Sequence, residues 1–398
     1  MNMKQKKKAP HSDLETILPM LMGVWRRLHK ESGPPDRLQT REFRRVVSAV
    51  QALRDGLEGS KSLFGKNYFS DPELLGAYLL YQWVVHYQQG LSLLNELPII
   101  PKRVLDVCSG PAAFSFAALK HGAKQLFATD QNMQALELGA EICGRYGLPM
   151  TIRKWDCLEK PIPISGEFEL IILGYCLEEL FPSNQSQWNE KQNQFVLSLL
   201  DRLTPQGFLL IVDGSFGDTN KRILELRDYC VKAGVPVQAP CVWQGMCPVV
   251  QVKGSPCYAQ REFEKPFLIK EIQRACSINL GSLKMSYLIL KSPKSSWPQL
   301  PDRAFYRVIS PPVEGFQGQR YYLCGKDGKK NLGSRLTEQT SENKAFDYLK
   351  RGELISIENP LENKHSLDII QGTKLVVEAA CGKPIPEIVP EEDEDEYS

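Results

Sequence analysis

The sequence predicts an α/β protein: strands alternating with helices around a parallel sheet, preceded by a helical region and followed by a Cys-rich, β-containing extension. Three observations predict it. From Arg103 the apolar runs RVLDVC, QLFATD, MTIRKWD, FELIILGYC and GFLLIVDGSF alternate with helical stretches such as AAFSFAALKHG, MQALELGAEICGRYG and NEKQNQFVLSLLDRL, the rhythm of βαβ units. The first hundred residues carry a helical period instead. After Pro236 the regularity gives way to Cys, Pro and Gly, and strands return at KMSYLIL and QRYYLC. The expected organisation is a helical region over 1–98, the sheet unit over 99–235, a Cys-rich extension over 236–332, a small β-rich appendage over 333–385 and an acidic, disordered tail over 386–398.

In the helical region, SDLETILPMLMGVWRRLHK opens on a Ser or Asp cap and places Leu14, Ile17, Leu18, Leu21 and Trp25 on one face. TREFRRVVSAVQALRDGL forms a second amphipathic helix ending near Gly59. In SDPELLGAYLLYQWVVHYQQGLSLLNEL, Ser70 or Asp71 caps a third, with Pro72 in the first turn, where a missing N–H costs nothing. Its stripe of Tyr78, Tyr81, Trp83 and Tyr87 reads as core.

At 398 residues the chain suits two domains plus appendages. The net charge is +2, yet six acids stand in one run from Glu391 to Glu396, so the rest of the chain is distinctly basic, which suits a polyanion partner. No run of about 18 apolar residues is present, and the Lys-rich start lacks the apolar stretch of a secretory signal. The expectation is a protein inside the cell, off the membrane and monomeric, in a bacterial-type cytoplasm or, as the alternative, the mitochondrial matrix. In such a compartment the 11 cysteines are not a disulfide framework.

VLDVCSGPAAF has the form of a first strand running into a glycine turn and a helix, with Gly110 letting backbone approach a ligand closely. Asp106 lies in that strand. Asp130, with Gln131 beside it, ends the second strand about 20 residues on, where a carboxylate binds ribose hydroxyls. Asp156, followed by Cys157, ends the third, where adenine is met. The oxidoreductase pattern Gly-x-Gly-x-x-Gly is absent from GPAAFS. These features select the class I S-adenosylmethionine-dependent methyltransferase version of the Rossmann fold, with S-adenosylmethionine as cofactor. The usual Asp-x-Gly-x-Gly-x-Gly here reads Asp106, Cys108, Gly110 and Ala112 at alternate positions.

In APCVWQGMCPVVQVKGSPCYAQREF, Cys241, Cys247 and Cys257 form a Cys-x5-Cys-x9-Cys run rich in Pro and Gly, a composition suited to wrapping backbone around a metal. A closed site generally takes four ligands. Cys324 in YYLCGKDG is the leading fourth candidate, with Cys276 and Cys230 as rivals. The paired Cys-x2-Cys knuckles of a zinc ribbon are missing, and spacing leaves zinc and iron–sulfur both open.

The ordered set NYFSDPELLGAYLLYQWVVHYQQGLSLLNELP, VLDVCSGPAAF, GYCLEEL, GFLLIVDGSF, APCVWQGMCP, SPCYAQREF, LKMSYLIL and YYLCGKDG resembles the methyltransferase-like proteins of the small ribosomal subunit. These are known from mitochondria as assembly factors and from bacteria as ribosomal RNA methyltransferases. The likeness covers about residues 60 to 330. It implies a [4Fe-4S] cluster on Cys241, Cys247, Cys257 and Cys324, with zinc as the alternative, and binding to ribosomal RNA of the small subunit. Departures fall at Cys108 and Ala112, where the family usually has Gly, and after Cys241-Pro-type positions, where it commonly has His and this chain reads Val242-Trp243.

For chemistry the sequence names no catalytic residue. GYCLEEL lacks the Pro-Pro aromatic element that stacks a flipped base, and Cys176, where a pyrimidine methyltransferase would keep a nucleophile, lacks the preceding Pro. Glu178 and Glu179 serve as base, substrate contact or helix cap. Two functions result: an RNA-binding assembly or translation factor, or an active ribosomal RNA methyltransferase. A cluster-based redox or iron sensor is a third. Arg303, Arg307, Arg320, Lys326, Lys329 and Lys330 flank Cys324 and are expected to meet phosphates.

Overall fold

The computed structural model describes residues 13–250, 252, 256–315, 318–326 and 328–388. The Lys-rich start and residues 389–398 of the expected acidic tail lie outside the described residues. The chain runs through α1 (Asp13–His29), α2 (Thr40–Arg54), α3 (Pro72–Ala77), α4 (Trp83–Leu94), β1 (Arg103–Val107), α5 (Ala113–His121), β2 (Gln125–Asp130), α6 (Met133–Arg145), β3 (Thr151–Lys154), β4 (Phe168–Gly174), α7 (Leu177–Leu180), α8 (Trp188–Leu200), β5 (Leu203–Asp213), α9 (Gly217–Lys232), β6 (Val237–Ala239), β7 (Ala259–Arg261), α10 (Phe267–Ala275) and β8 (Leu283–Lys291).

Strand order in the first sheet is β3-β2-β1-β4-β5-β8-β6, with β7 paired to β8. β1 to β5 are parallel, while β8 is antiparallel to β5, β6 and β7. A parallel sheet reversing direction at β1, closed by an antiparallel strand, is the class I methyltransferase arrangement of the Rossmann fold. Both faces are covered, which is why β4 reads as a continuous apolar run. Leu170 and Ile172 pack into the core beneath α1, α4, α5 and α6; Ile171 and Leu173 pack into the opposite core with α8 and α9, the two-residue alternation of a strand.

The sheet reaches past residue 235, drawing β6, β7 and β8 from the stretch expected to form the Cys-rich extension. The reason is burial. Met285, Tyr287 and Ile289 of β8 enter one core, Leu288 and Leu290 the other, so this strand is interior on both faces.

A second sheet contains β9 (Phe305–Val308), β10 (Val313–Gly315), β11 (Gly318–Gly325), β12 (Gly328–Ser334), β13 (Leu354–Glu358), β14 (Leu361–Asn363), β15 (Ser366–Ile369) and β16 (Lys374–Ala379). Its order is β14-β15-β12-β11-β9-β13-β16, with β10 on β11. The core holds Tyr306, Val308, Tyr321, Leu323, Leu332, Phe346, Ile355 and Leu367.

The N-terminal helices dock on the first sheet. Asp71 is the cap of the third helical segment, accepting the Glu73 N–H at 2.8 Å, and α3 continues into α4 through a π turn at Tyr78–Gln82. Tyr81, Trp83 and Tyr87 are buried as core. Past α4, buried Glu96 accepts from Arg261 of β7 and, at 2.7 Å, from the Tyr287 hydroxyl of β8, tying the helical layer to the sheet. Removing one partner of a buried ion pair leaves an uncompensated charge. Glu96→Ala is therefore expected to destabilise the chain by about 3–5 kcal/mol, read as a lower urea midpoint; an unchanged midpoint would show that apolar packing alone holds the layer.

Candidate functional site

The cleft is built where the sheet changes direction, at the C-terminal ends of β1, β2 and β4. After β1 the chain turns through Cys108 (φ 56°), Gly110 (φ 50°) and Ala112 (φ 64°), all left-handed. The three glycine positions of the methyltransferase pattern thus keep their backbone form even where Cys and Ala replace Gly. Each non-glycine there costs on the order of 1–3 kcal/mol. The turn is also pressed from behind: a Cβ on Gly139 of α6 would come within 2.6 Å of the Ala112 Cβ and 2.9 Å of the Pro111 backbone.

Asp130 secures the turn. Its Oδ2 accepts the Gly110 N–H at 2.9 Å and its Oδ1 the Asn132 N–H at 2.8 Å, so the carboxylate expected at a ribose is engaged with backbone. Asp106 is buried and accepts from Ser115 Oγ at 2.6 Å; burial pushes it up to about 7. Cys108 and Cys157 place their sulfurs 3.8 Å apart at the cleft. Asp156, half-buried, accepts the Leu158 N–H at 3.2 Å, and Gln131 is exposed. The structure therefore gathers Asp106, Cys108, Gly110, Asp130 and Cys157 and leaves Asp156 and Gln131 toward the rim.

Sequence reasoning missed a strap over this turn. Asn67 accepts from Asn132 Nδ2, Phe69 lies 3.0 Å from where a Gly110 Cβ would stand, the Tyr68 hydroxyl donates to Glu179 at 3.3 Å, and Lys61 pairs with Glu178. Asn67-Tyr68-Phe69 directly before the Asp71 cap was the available signal. Asp213, at the end of β5, was also missed. It is buried, its Oδ2 has no hydrogen-bond partner among the described residues, and burial raises it to about 7. Burial raises Glu179 to about 8.

Tyr175, the aromatic following β4, is turned inward. Its ring stacks on His86 at 4.2 Å and its hydroxyl donates to Gln89 at 3.0 Å. Burial lowers His86 to about 3, so the imidazole is neutral. Cys176 is buried beside it, and Glu178 accepts from Thr219 at 2.8 Å.

The second group lies between α9 and the second sheet. Cys247 is in a small core with Leu224, Val249 and Ile309, against which Cys257 and Cys324 pack. Burial, then the proximity of Cys241, Cys257 and Cys247, pushes the Cys324 thiol well up; burial, Cys241 and Cys247 push Cys257 up to about 12. Cys247, Cys257 and Cys324 thus share one neighbourhood, and Cys241, which packs against the core under α8 and α9, is close enough to act on Cys257 and Cys324. The rivals lie elsewhere, Cys230 in the core under α8 and α9 and Cys276 against Val47 of α2. Among the described residues, no three His, Cys, Asp or Glu side chains are grouped so as to hold a metal ion.

Around the thiols stand buried arginines. Arg227 donates to the carbonyls of Trp243 and Gly245 and to Asp228 at 2.8 Å; Asp228 in turn accepts the Cys247 N–H at 2.8 Å. Arg307, opposite Cys324 in the β9–β11 register, donates to Pro240 O and Gly352 O, both at 2.9 Å. Arg227 Nε, Arg307 Nη2, and Arg351 Nε and Nη1 are buried without a hydrogen-bond partner among the described residues. This corrects the expected phosphate-facing patch: Arg307 is 5 % exposed, because strand pairing places it inside. Arg303 pairs with Glu378 and Arg320 with Asp368; Lys326 is exposed.

No helix among the described residues is long and apolar enough to cross a membrane. Among solved structures, the chain is similar to a ribosomal protein L11 methylase from Lactobacillus delbrueckii subsp. bulgaricus (14 % identity, 53 % of this chain and 78 % of that one, TM-score 0.33). It is also similar to the N-methyltransferase NodS from Bradyrhizobium japonicum in complex with S-adenosyl-L-homocysteine (13 % identity, 62 % and 98 %, TM-score 0.34). Likenesses this slight add nothing to the strand order. No curated protein matches the sequence. The model of the family described as mitochondrial small ribosomal subunit Rsm22 matches residues 76–351, the span that holds the glycine turn, every strand of the first sheet and Cys241, Cys247, Cys257 and Cys324, and the chain belongs to that family.

Proposed function

We propose that the chain is an RNA-binding assembly or translation factor of the small ribosomal subunit, with S-adenosylmethionine in the cleft and a [4Fe-4S] cluster on Cys241, Cys247, Cys257 and Cys324. The family description favours the mitochondrial matrix, the second of the two compartments expected from the sequence. The observation that carries the non-enzymatic reading is the fate of Tyr175. Stacked on His86 and bonded to Gln89, it is unavailable to a flipped base, and Tyr68 and Glu179 bond to one another beside it.

The cleft suits a cationic ligand. Asp106, Glu179 and Asp213 are carboxyl groups that burial keeps partly protonated near neutrality, and a sulfonium with its amino group would favour their ionised forms. The left-handed turn brings the backbone at Gly110 to the ligand.

For the metal centre, the support is the chemistry of the neighbourhood. Cys241 and Cys247 oppose the ionisation of Cys257, and all three oppose that of Cys324, while four guanidinium nitrogens nearby have no acceptor among the described residues. Thiolates on a bound cation would relieve both. An all-sulfur donor set suits zinc and iron–sulfur alike, and the family resemblance favours the cluster. When bound, it would tie the loop after β6, the segment before β7 and β11 together. Arg227 and Asp228 hold the 241–247 loop, and Asn220 brackets the Cys257 peptide, donating to its carbonyl at 2.8 Å.

Anaerobically purified protein is expected to be brown, with iron and acid-labile sulfide in equal amounts, and Cys324→Ser to lower iron content and RNA affinity together; a colourless, zinc-loaded protein would replace the cluster with zinc. S-adenosylmethionine affinity, measured by calorimetry, is expected to rise from about pH 6 to about pH 8 as these raised carboxyls ionise, and Asp106→Ala to flatten the rise. A flat wild-type profile would remove the carboxyls from cofactor binding. Incubation with small-subunit RNA or immature particles and methyl-labelled cofactor is expected to give no transfer. Transfer abolished by Asp106→Ala and Asp130→Ala would establish the enzyme instead.

A further inference from the structure

We propose that Phe216 and Tyr258 form a stacking platform for an unpaired base of single-stranded RNA, at the cleft edge and next to Cys257; the inference deepens the RNA-binding reading and rests on it. Phe216 lies between β5 and α9, as the residue preceding the helix, and its ring is 67 % exposed. The Tyr258 ring lies 6.4 Å away at 42°. Both rings have a cation: Lys284 Nζ is 5.9 Å from the Phe216 centroid, and the Arg351 guanidinium lies 4.0 Å over Tyr258.

The two rings sit on loops locked to one another by buried hydrogen bonds. Asn220 donates to the Cys257 carbonyl at 2.8 Å and to Ser286 Oγ at 2.7 Å, and Ser286 donates to the Gly214 carbonyl at 2.8 Å. One side chain of α9 therefore positions the residue before Tyr258 and, through Ser286, the loop carrying Phe216. An exposed ring held this firmly loses little conformational entropy on binding. Asp218 is the acidic residue in the first turn of α9, where the helix dipole offsets its charge.

The ligand chemistry follows from the pairing of parts. A ring with an open face offers stacking to any base, and Lys284 beside it offers charge to the phosphate linking that base to the next nucleotide, the combination used by single-strand binders. A peptide partner docking on apolar area has no need of the π face. Leucine, apolar but without a π face, separates the two.

The test uses the full chain and a fluorescent, unstructured oligouridylate, with salt titration. Phe216→Ala is expected to weaken binding roughly 5- to 100-fold without changing the salt slope; Phe216→Trp restores affinity and Phe216→Leu does not. Lys284→Gln is expected to reduce the slope by about 0.7. Unfolding midpoints at the wild-type value exclude misfolding as the cause. Wild-type affinity in Phe216→Ala or in Phe216→Leu would overturn the platform. So would loss of small-subunit association in Phe216→Ala with oligouridylate binding intact, which would assign the ring to a protein contact. Wild-type protein that associates with subunits yet ignores the oligouridylate sinks the platform alone; wild-type protein that binds neither sinks the RNA-binding reading as well.

Discussion

The left-handed turn between β1 and α5 is the constraint on which the rest depends. It exists because the chain must leave the sheet and enter a helix within a few residues while α6 presses against Pro111 and Ala112. Cys108 and Ala112 hold conformations in which glycine would rest without strain. The cost of both is small beside the apolar burial of β1, β4 and β5, and Asp130 adds two backbone hydrogen bonds that fix the turn. The cleft follows from it, since strand order reverses at β1 and the flanking helices depart to opposite faces.

Helix α9 connects that cleft with the Cys247 and Cys257 peptides. Its first turn bonds Glu178 through Thr219, its second brackets Cys257 through Asn220, and its last third holds the 241–247 loop through Arg227 and Asp228. Sixteen residues span about 24 Å. A rigid element of that length bonded at both ends gives the two groups a fixed relation, and any ligand that orders the cysteine loops acts on the same helix that borders the cleft.

In the cleft, several polar side chains are already engaged with one another. Tyr175, His86, Tyr78 and Gln89 form a closed, neutral hydrogen-bonded and stacked set. Asp130 is engaged with the turn and with Asn132, Phe69 lies over the turn at Gly110, and Tyr68 bonds to Glu179. Burial opposes the ionisation of Asp106 and Asp213 there.

By itself the sequence determined the parts ruled by local pattern: the helical region, the alternation of strands and helices, the turn with Asp106, Gly110 and Asp130, and the cap at Asp71. These follow from periodicity and backbone preference, which act over a few residues. Tertiary structure alone decided that β8 lies inside the first sheet, that Cys324 rather than Cys230 or Cys276 joins Cys247 and Cys257, and that Arg307 is interior. Whether a strand is central, and whether an arginine meets water or a buried carbonyl, depends on which distant segment pairs with it; residue 307 sits opposite 324 on one side and 354 on the other. No local signal carries that pairing, because it is set by the burial of both sheets at once.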